Sequence, residues 1–193
     1  MRNNEVDEGL GTPEDPATHY WQYTGMFYPL WLVSAKSSIY LTFQSPWGAA
    51  FVARGLQTLP LRVDKICSNA LAVAQFLEKH PKVRHVSYAG LESHPGHKAA
   101  LKYMKKFGGM MAFDVGSAEA AYKVVETVRL IVHAVSLGGT ESLMEHPASM
   151  THGKELVRNE KEPIVNPGLI RLSVGIENVE DIINDLNRAL ALI

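Results

Sequence analysis

The stretch Gly168–Leu190, GLIRLSVGIENVEDIINDLNRAL, changes its period half-way along. Leu169–Val174 alternates, with Ile170, Leu172 and Val174 on one face and Arg171 and Ser173 on the other, as in a strand with one buried side. Beyond Gly175 the period becomes helical. Asn178 stands where an N-cap belongs, and Asp181 follows three residues on as a short version of a capping box. Val179, Ile182, Ile183, Leu186 and Leu190 then form an apolar stripe. A half-buried strand running into an amphipathic helix predicts a sheet with helices over at least one face.

Working back towards the N-terminus, the same two periods alternate as far as Ser45. Thr58 and Pro60 mark a helix start, and Val63, Ile66, Cys67, Ala70, Ala74 and Leu77 carry its stripe until Pro81 ends it. Lys82–Tyr88 reads as a short strand with Val86 and Tyr88 on one face, and His94–Lys106 as a loop entering a helix with a basic outer face. Gly109–Val115 is an apolar strand. Ser117 caps a helix carrying Ala121, Tyr122, Val125 and Val128, and Leu130–Val135 is a further strand. Several strand-to-strand steps lack a helix, so the expected fold is α/β or α+β with an antiparallel or mixed sheet. Residues 1–44 are rich in aromatics and turn formers without sustained periodicity. Ser45 is therefore the expected boundary between an atypical extension, 1–44, and one domain over 45–193.

Composition narrows the function classes. Lys and Arg number 19 against 20 Asp and Glu, which gives no electrostatic reason for nucleic acid or an anionic membrane as partner. The N-terminus lacks the order of a secretory signal, and the apolar run Met26–Val33 is too short to span a bilayer. A single cysteine, Cys67, cannot form an intrachain disulfide, so a soluble protein of the reducing cytoplasm is expected.

Chemistry-bearing residues gather in Ser136–Gly153, SLGGTESLMEHPASMTHG. No metal site is expected. His94 and His97 flank a Pro-Gly turn, His146 and His152 lack a third ligand at a recognised spacing, and all four read as solvent-facing or capping. Gly138-Gly139 follows a strand but belongs to no phosphate-binding fingerprint, so a tight turn or close backbone approach is the reading. Ser136 lacks the Gly-x-Ser-x-Gly elbow of a hydrolase nucleophile. Arg171, facing away from the core side of its strand, suits either an ordinary salt bridge or a bidentate carboxylate anchor.

SLGGTESLMEHPASMTHG, followed by GLIRLSVGIENVEDIINDLNRAL, resembles the C-terminal part of the Cys/Met-metabolism (trans-sulfuration) family of pyridoxal-phosphate enzymes. That family includes cystathionine γ-synthase, cystathionine γ-lyase, methionine γ-lyase and O-acetylhomoserine sulfhydrylase. ARGLQTLPLRVDKICSNALAVAQFLEKHPKV and FGGMMAF resemble family segments too, so the likeness runs from about Ser45 to Ile193. It implies the small C-terminal domain of the aspartate-aminotransferase fold, with helices packed on one side of the sheet.

It also implies site roles. Arg171 would hold the substrate α-carboxylate, Ser136 would lie at the substrate end of the pocket, and Thr151 would line it. The expected substrate is a sulfur-containing amino acid, and Val135 with HPASMTH is more similar to methionine γ-lyase than to cystathionine γ-lyase. The synthase and sulfhydrylase transferases are the alternative lineage. Family members are about twice this length, and their large N-terminal domain supplies the Schiff-base lysine and the other cofactor contacts. No such motif stands in this sequence. Lys36, in VSAKS, lies too close to the ARGL segment and lacks the downstream Gly-His-Ser-Asp. The resemblance therefore implies a substrate-recognition half with no catalytic residue of its own. Such a half-chain would be inactive alone, and could serve instead as a non-catalytic chain that associates with itself or with full-length relatives. Residues 1–44 read as a replacement for the end of the missing domain.

Overall fold

The computed structural model describes residues 45–151 and 165–193. Lys36 and His152, and the expected extension over 1–44, lie outside the described residues. In chain order the elements are α1 (Pro46–Gln57), α2 (Leu59–Lys79), β1 (His85–Ser87), α3 (His97–Tyr103) and β2 (Met110–Asp114). There follow α4 (Ala118–Thr127), β3 (Val132–His133), β4 (Leu143–Glu145), β5 (Leu169–Ser173) and α5 (Val179–Leu190). The sheet order is β1-β2-β5-β4-β3. Its strand pairs are antiparallel except β3 with β4, which is parallel, so the sheet is mixed.

β5 sits at the centre. Ile170 lies opposite Phe113 on β2, and Leu172 lies opposite Met111 on β2 and Met144 on β4. These five side chains are buried and form the sheet's contribution to the core. Each contributes about 1.5–3 kcal/mol by leaving water. The other side of that core is built by α2, α4 and α5. Ala70, Val73, Ala74 and Leu77 of α2 recur at helical spacing and are fully buried. Ala121, Val124 and Val125 of α4 and Ile182, Leu186, Ala189 and Leu190 of α5 join the same cluster.

Local signals behave as physics requires, with several corrections. Ser117 accepts from the Ala120 amide at 3.2 Å and starts α4. Tyr122, expected on the α4 stripe, is exposed, and Val124 fills the core instead. Asn178 caps α5 by accepting from the Glu180 amide at 2.9 Å. This is the amide one residue short of the box expected with Asp181. Thr58 stands at the start of α2 but makes no side-chain cap bond; its hydroxyl accepts from Arg62 Nε at 3.2 Å. The helix α1 was not expected from the sequence. Ser45 caps it, accepting from the Gly48 amide at 3.1 Å, and it buries no residue.

Both expected flanking strands are shorter than their apolar runs. In Lys82–Tyr88 the turn after Pro81 occupies the chain through a Val83-to-His80 backbone bond, and pairing begins at His85. In Leu130–Val135 the cause is a buried carboxylate on α5. Asp185 accepts from the amides of Arg129 (3.0 and 2.9 Å), Leu130 (2.8 Å) and Ile131 (3.1 Å). Pairing with β4 therefore starts at Val132 and continues at His133, with the Ala134 amide donating to the Met144 carbonyl at 3.1 Å.

Asp185 thereby closes the end of α4 and the entry to β3 onto α5, with Arg188 ion-paired to it at 2.5 Å. Burial alone would raise its pKa. The amides of Ile131, Arg129 and Leu130 and the Arg188 guanidinium together outweigh burial and hold it below the ordinary aspartate value. A depressed folded-state pKa gives stability that is present above the unfolded value and lost as pH falls through the folded one. Asp185→Ala is expected to lose roughly 3–5 kcal/mol in urea unfolding followed by circular dichroism, because buried amides and a cation lose their shared partner. Asp185→Asn should flatten the loss of stability that the parent chain undergoes below about pH 4. An acid-unfolding profile unchanged by Asn would remove Asp185 as its source.

Candidate functional site

The face of β5 turned away from the core carries Arg171 and Ser173, and the sheet register brings two neighbours to Arg171. Ala112 of β2 lies across from it on one side and Glu145 of β4 on the other. Residues directly opposite in an antiparallel pair share a face, and here that places a carboxylate against a guanidinium. Arg171 Nη1 lies 2.9 Å from Glu145 Oε1, with 13% of the arginine side chain and 1% of the glutamate side chain exposed. Burial pulls the guanidinium pKa below its ordinary value, and the Glu145 charge works against that pull.

A second contact comes from the loop between β3 and β4. Parallel strands must be joined by a chain that returns to the starting edge, normally through a helix. Here Ala134–Ser142 returns without one and runs alongside β5 in the same direction. Arg171 Nη2 donates to the Ser136 carbonyl at 3.1 Å, the Gly138 amide donates to Ser173 Oγ at 3.0 Å, and the Ile176 amide donates to the Thr140 carbonyl at 2.8 Å. Gly138 has φ +74°, a left-handed conformation that a side chain would strain. At Gly175 a Cβ would stand 2.3 Å from the Thr140 carbonyl oxygen, so only glycine lets the two backbones approach.

The far end of the loop is fastened by Glu177. Its carboxylate accepts from the Ser142 amide at 2.5 Å and from the Ser142 hydroxyl at 2.9 Å, while Ser142 Oγ accepts from the Gly175 amide at 2.9 Å. Asn69 of α2 donates to the carbonyls of Gly175 (3.0 Å) and Glu177 (2.8 Å), which ties the turn after β5 to the helix layer.

The structure thus brings Ser136 and Arg171 together, through the Ser136 carbonyl. Thr151 lies on the exposed turn beyond β4, at the edge of the described residues. Glu145, Ser173 and Glu177 were not singled out in the sequence. The available signal for Glu145 was a lone acid inside the apolar run LMEH, which calls for a buried partner.

The histidines have structural work. His94 and His146 are buried and so do not face solvent, the first of the two readings expected for them. Nδ1 of His94 accepts from the Gly96 amide at 3.1 Å, and its Nε2 lies 3.4 Å from Ser87 Oγ. His146 Nε2 lies 2.7 Å from the Pro167 carbonyl, which can only accept, so that nitrogen carries the proton and Nδ1 faces Ser149 Oγ at 2.9 Å. His97 Nδ1 donates in the same way to the Ala89 carbonyl at 2.7 Å. Among the described residues no group of three or more His, Cys, Asp or Glu is placed to hold a metal ion, and no helix is long and apolar enough to cross a membrane.

A profile described as Cys/Met metabolism PLP-dependent enzyme matches residues 38–191. The chain belongs to that family. It is 47% identical over 146 residues to an L-methionine gamma-lyase of Fusobacterium nucleatum subsp. polymorphum, a match covering 75% of this chain and 37% of the relative. It is 46% identical to a cystathionine beta-lyase of Coxiella burnetii, covering 76% and 38%. Among solved structures it superposes on the cystathionine gamma synthase of Xanthomonas oryzae pv. oryzae in complex with aminoacrylate and cysteine, with TM-score 0.68 and 41% identity. That match covers 76% of this chain and 38% of the other. The mixed sheet with its helices is therefore this family's fold, and the chain spans little more than a third of the length of the relatives it matches.

The family is pyridoxal-phosphate-dependent and acts on sulfur amino acids. A guanidinium such as that of Arg171 is chemically suited to a carboxylate and supplies no amine for a Schiff base. Groups that contact Arg171 include Glu145 and the Ser136 carbonyl.

Proposed function

We propose that this chain carries the substrate-recognition half of a pyridoxal-phosphate-dependent carbon–sulfur lyase or transferase of sulfur amino acid metabolism, of the methionine γ-lyase or cystathionine γ-lyase type. The observation that carries the proposal is Arg171. It is a charged guanidinium held in place at the middle of the sheet, with part of its side chain exposed. Such a planar fork matches a carboxylate in two parallel hydrogen bonds and fixes its orientation. Orientation is what this half would supply: a ligand gripped by its α-carboxylate has its remaining bonds aligned for chemistry done by other groups. Ser136, beside Arg171, and Thr151 complete the substrate side. When bound, pyridoxal phosphate supplies the electron sink. The residues that would hold it are assigned here to the two-thirds of the relatives that this chain does not match, and the chain alone is inactive. Residues 45–193 form the small domain, residues 1–44 are an extension of another character, and the chain is cytoplasmic, where the free thiol of Cys67 persists.

A second reading is favoured by α1. Trp47 and Phe51, and Val52 and Leu56, each recur one turn apart, and all four are exposed, as is Leu61 at the start of α2. A patch of that character is an interaction surface or an aggregation liability. Its occupant in this reading is a full-length family member, which possesses the large remainder that this chain does not match.

Three outcomes are expected. Titration of the 15N-labelled chain with L-methionine should shift the Arg171 side-chain resonances, and L-methioninamide, which lacks the carboxylate, should not. Equal responses to both would remove Arg171 as the anchor. Incubation with pyridoxal phosphate followed by borohydride should leave no stoichiometric adduct by mass spectrometry; a full adduct on Lys36 would overturn the assignment of the cofactor half elsewhere. In sedimentation velocity the chain should co-migrate with a full-length family member, and the Trp47→Asp, Phe51→Asp double variant should not. Separate boundaries for the parent chain would dismiss the association.

A further inference from the structure

The Arg171–Glu145 pair has a geometry that goes beyond charge balance. A free arginine side chain samples many rotamers, and a carboxylate ligand that must first select one binds weakly. Here two contacts act on different nitrogens. Glu145 Oε1 meets Nη1 at 2.9 Å and the Ser136 carbonyl meets Nη2 at 3.1 Å. Two fixed points on one planar group set both its position and its plane.

The two holders are not equivalent. Ser136 belongs to an exposed loop, whereas Glu145 belongs to a strand whose backbone is in register with β5 and directly opposite Arg171. On the other side of Arg171 the register partner is Ala112, whose side chain has nothing to offer a guanidinium. Glu145 is almost completely buried, so its carboxylate holds the arginine from beneath and does not itself reach a ligand in solvent.

We infer that Glu145 is the positioning residue of this site: through Nη1 it fixes the guanidinium of Arg171 in the orientation that meets a ligand's carboxylate, and so sets the affinity for the substrate's α-carboxylate. The inference rests on the proposed role of Arg171 as the anchor and adds the residue that makes the anchor rigid. The essential feature is an acceptor oxygen at the Oε1 position, because that atom makes the contact. Glutamine keeps the oxygen and removes the charge, while alanine removes both.

The test uses the whole chain, 15N-labelled, with L-methionine as probe. In the parent chain at low temperature the two Arg171 Nη groups should give separate resonances, because a held guanidinium rotates slowly. Glu145→Gln should keep that separation and bind L-methionine at least as tightly, since a nearby negative charge has gone. Glu145→Ala should merge the resonances and weaken L-methionine binding about tenfold, the loss of one well-placed hydrogen bond. Binding by Glu145→Ala within about threefold of the parent would overturn the inference while leaving the anchor intact. Merged Arg171 resonances in the parent chain would overturn it with no variant at all, which covers the case in which alanine prevents folding. A parent chain whose separate Arg171 resonances ignore L-methionine would instead remove the anchor, and with it any role for Glu145 in affinity.

Discussion

Arg171 is taken out of water at the middle of the sheet only because Glu145 stands directly across the strand pair from it. Desolvating a lone guanidinium costs several kcal/mol, and leaving a lone carboxylate buried beside β5 would cost a similar amount. Each charge offsets part of the other's burial cost. The pair therefore also selects the register of β4 against β5. A slip of one residue would turn Glu145 towards the helix-covered core and bring Met144 onto the polar face, reversing every side chain of the strand. The interaction that assembles the site is thus one that tells the central strands how to pair.

The rest of the site follows from how β3 reaches β4. The return path of a parallel pair has to cross the sheet, and without a helix to carry it the loop needs posts. Ser173 takes the Gly138 amide, Thr140 meets Ile176, and Glu177 holds Ser142. These posts are spaced along β5 and its continuation, so the loop lies parallel to the strand and brings the Ser136 carbonyl to Arg171. At the other end Asp185 gathers the amides before β3 and fixes where the strand can begin. A carboxylate on α5 and one just before it, Glu177, together set the span within which the loop can move. Backbone groups of this helix-free connection at Ser136, Gly138 and Ser142 are met by side chains, and that of Thr140 by the Ile176 amide.

Much of this was legible in the sequence where a single period governs a segment. The switch from alternation to helical spacing across Gly168–Leu190 gave β5 and α5 with the correct inward faces, because one buried side dictates each pattern. The strand in Gly109–Val115 and the helices beginning near Thr58 and Ser117 followed for the same reason. α1 escaped because it buries nothing among the described residues, so no core imposes a period upon it. The flanking strands were overestimated because an apolar run does not reveal that a distant Asp185, or a turn at Pro81, already owns its amides. Arg171 was visible as a residue out of step with its apolar neighbours. Its partner was not, since register between strands separated by more than twenty residues is a tertiary fact. Ser136 was visible only through likeness to a family, and its contribution here, a carbonyl oxygen, is one that side-chain identity does not encode.

Among the described residues, groups that hold Arg171 and the posts that hold its loop come from Asn69, the segment 136–145 and the segment 171–177. Strand register and one loop thus place the guanidinium in a polypeptide spanning little more than a third of the length of its relatives. Its charge is met by Glu145 within the sheet. The apolar face of α1 has no such cover among the described residues, where Trp47, Phe51, Val52 and Leu56 are exposed. The two features separate the needs of this chain. The guanidinium is held from within the sheet, whereas α1 buries no residue among those described.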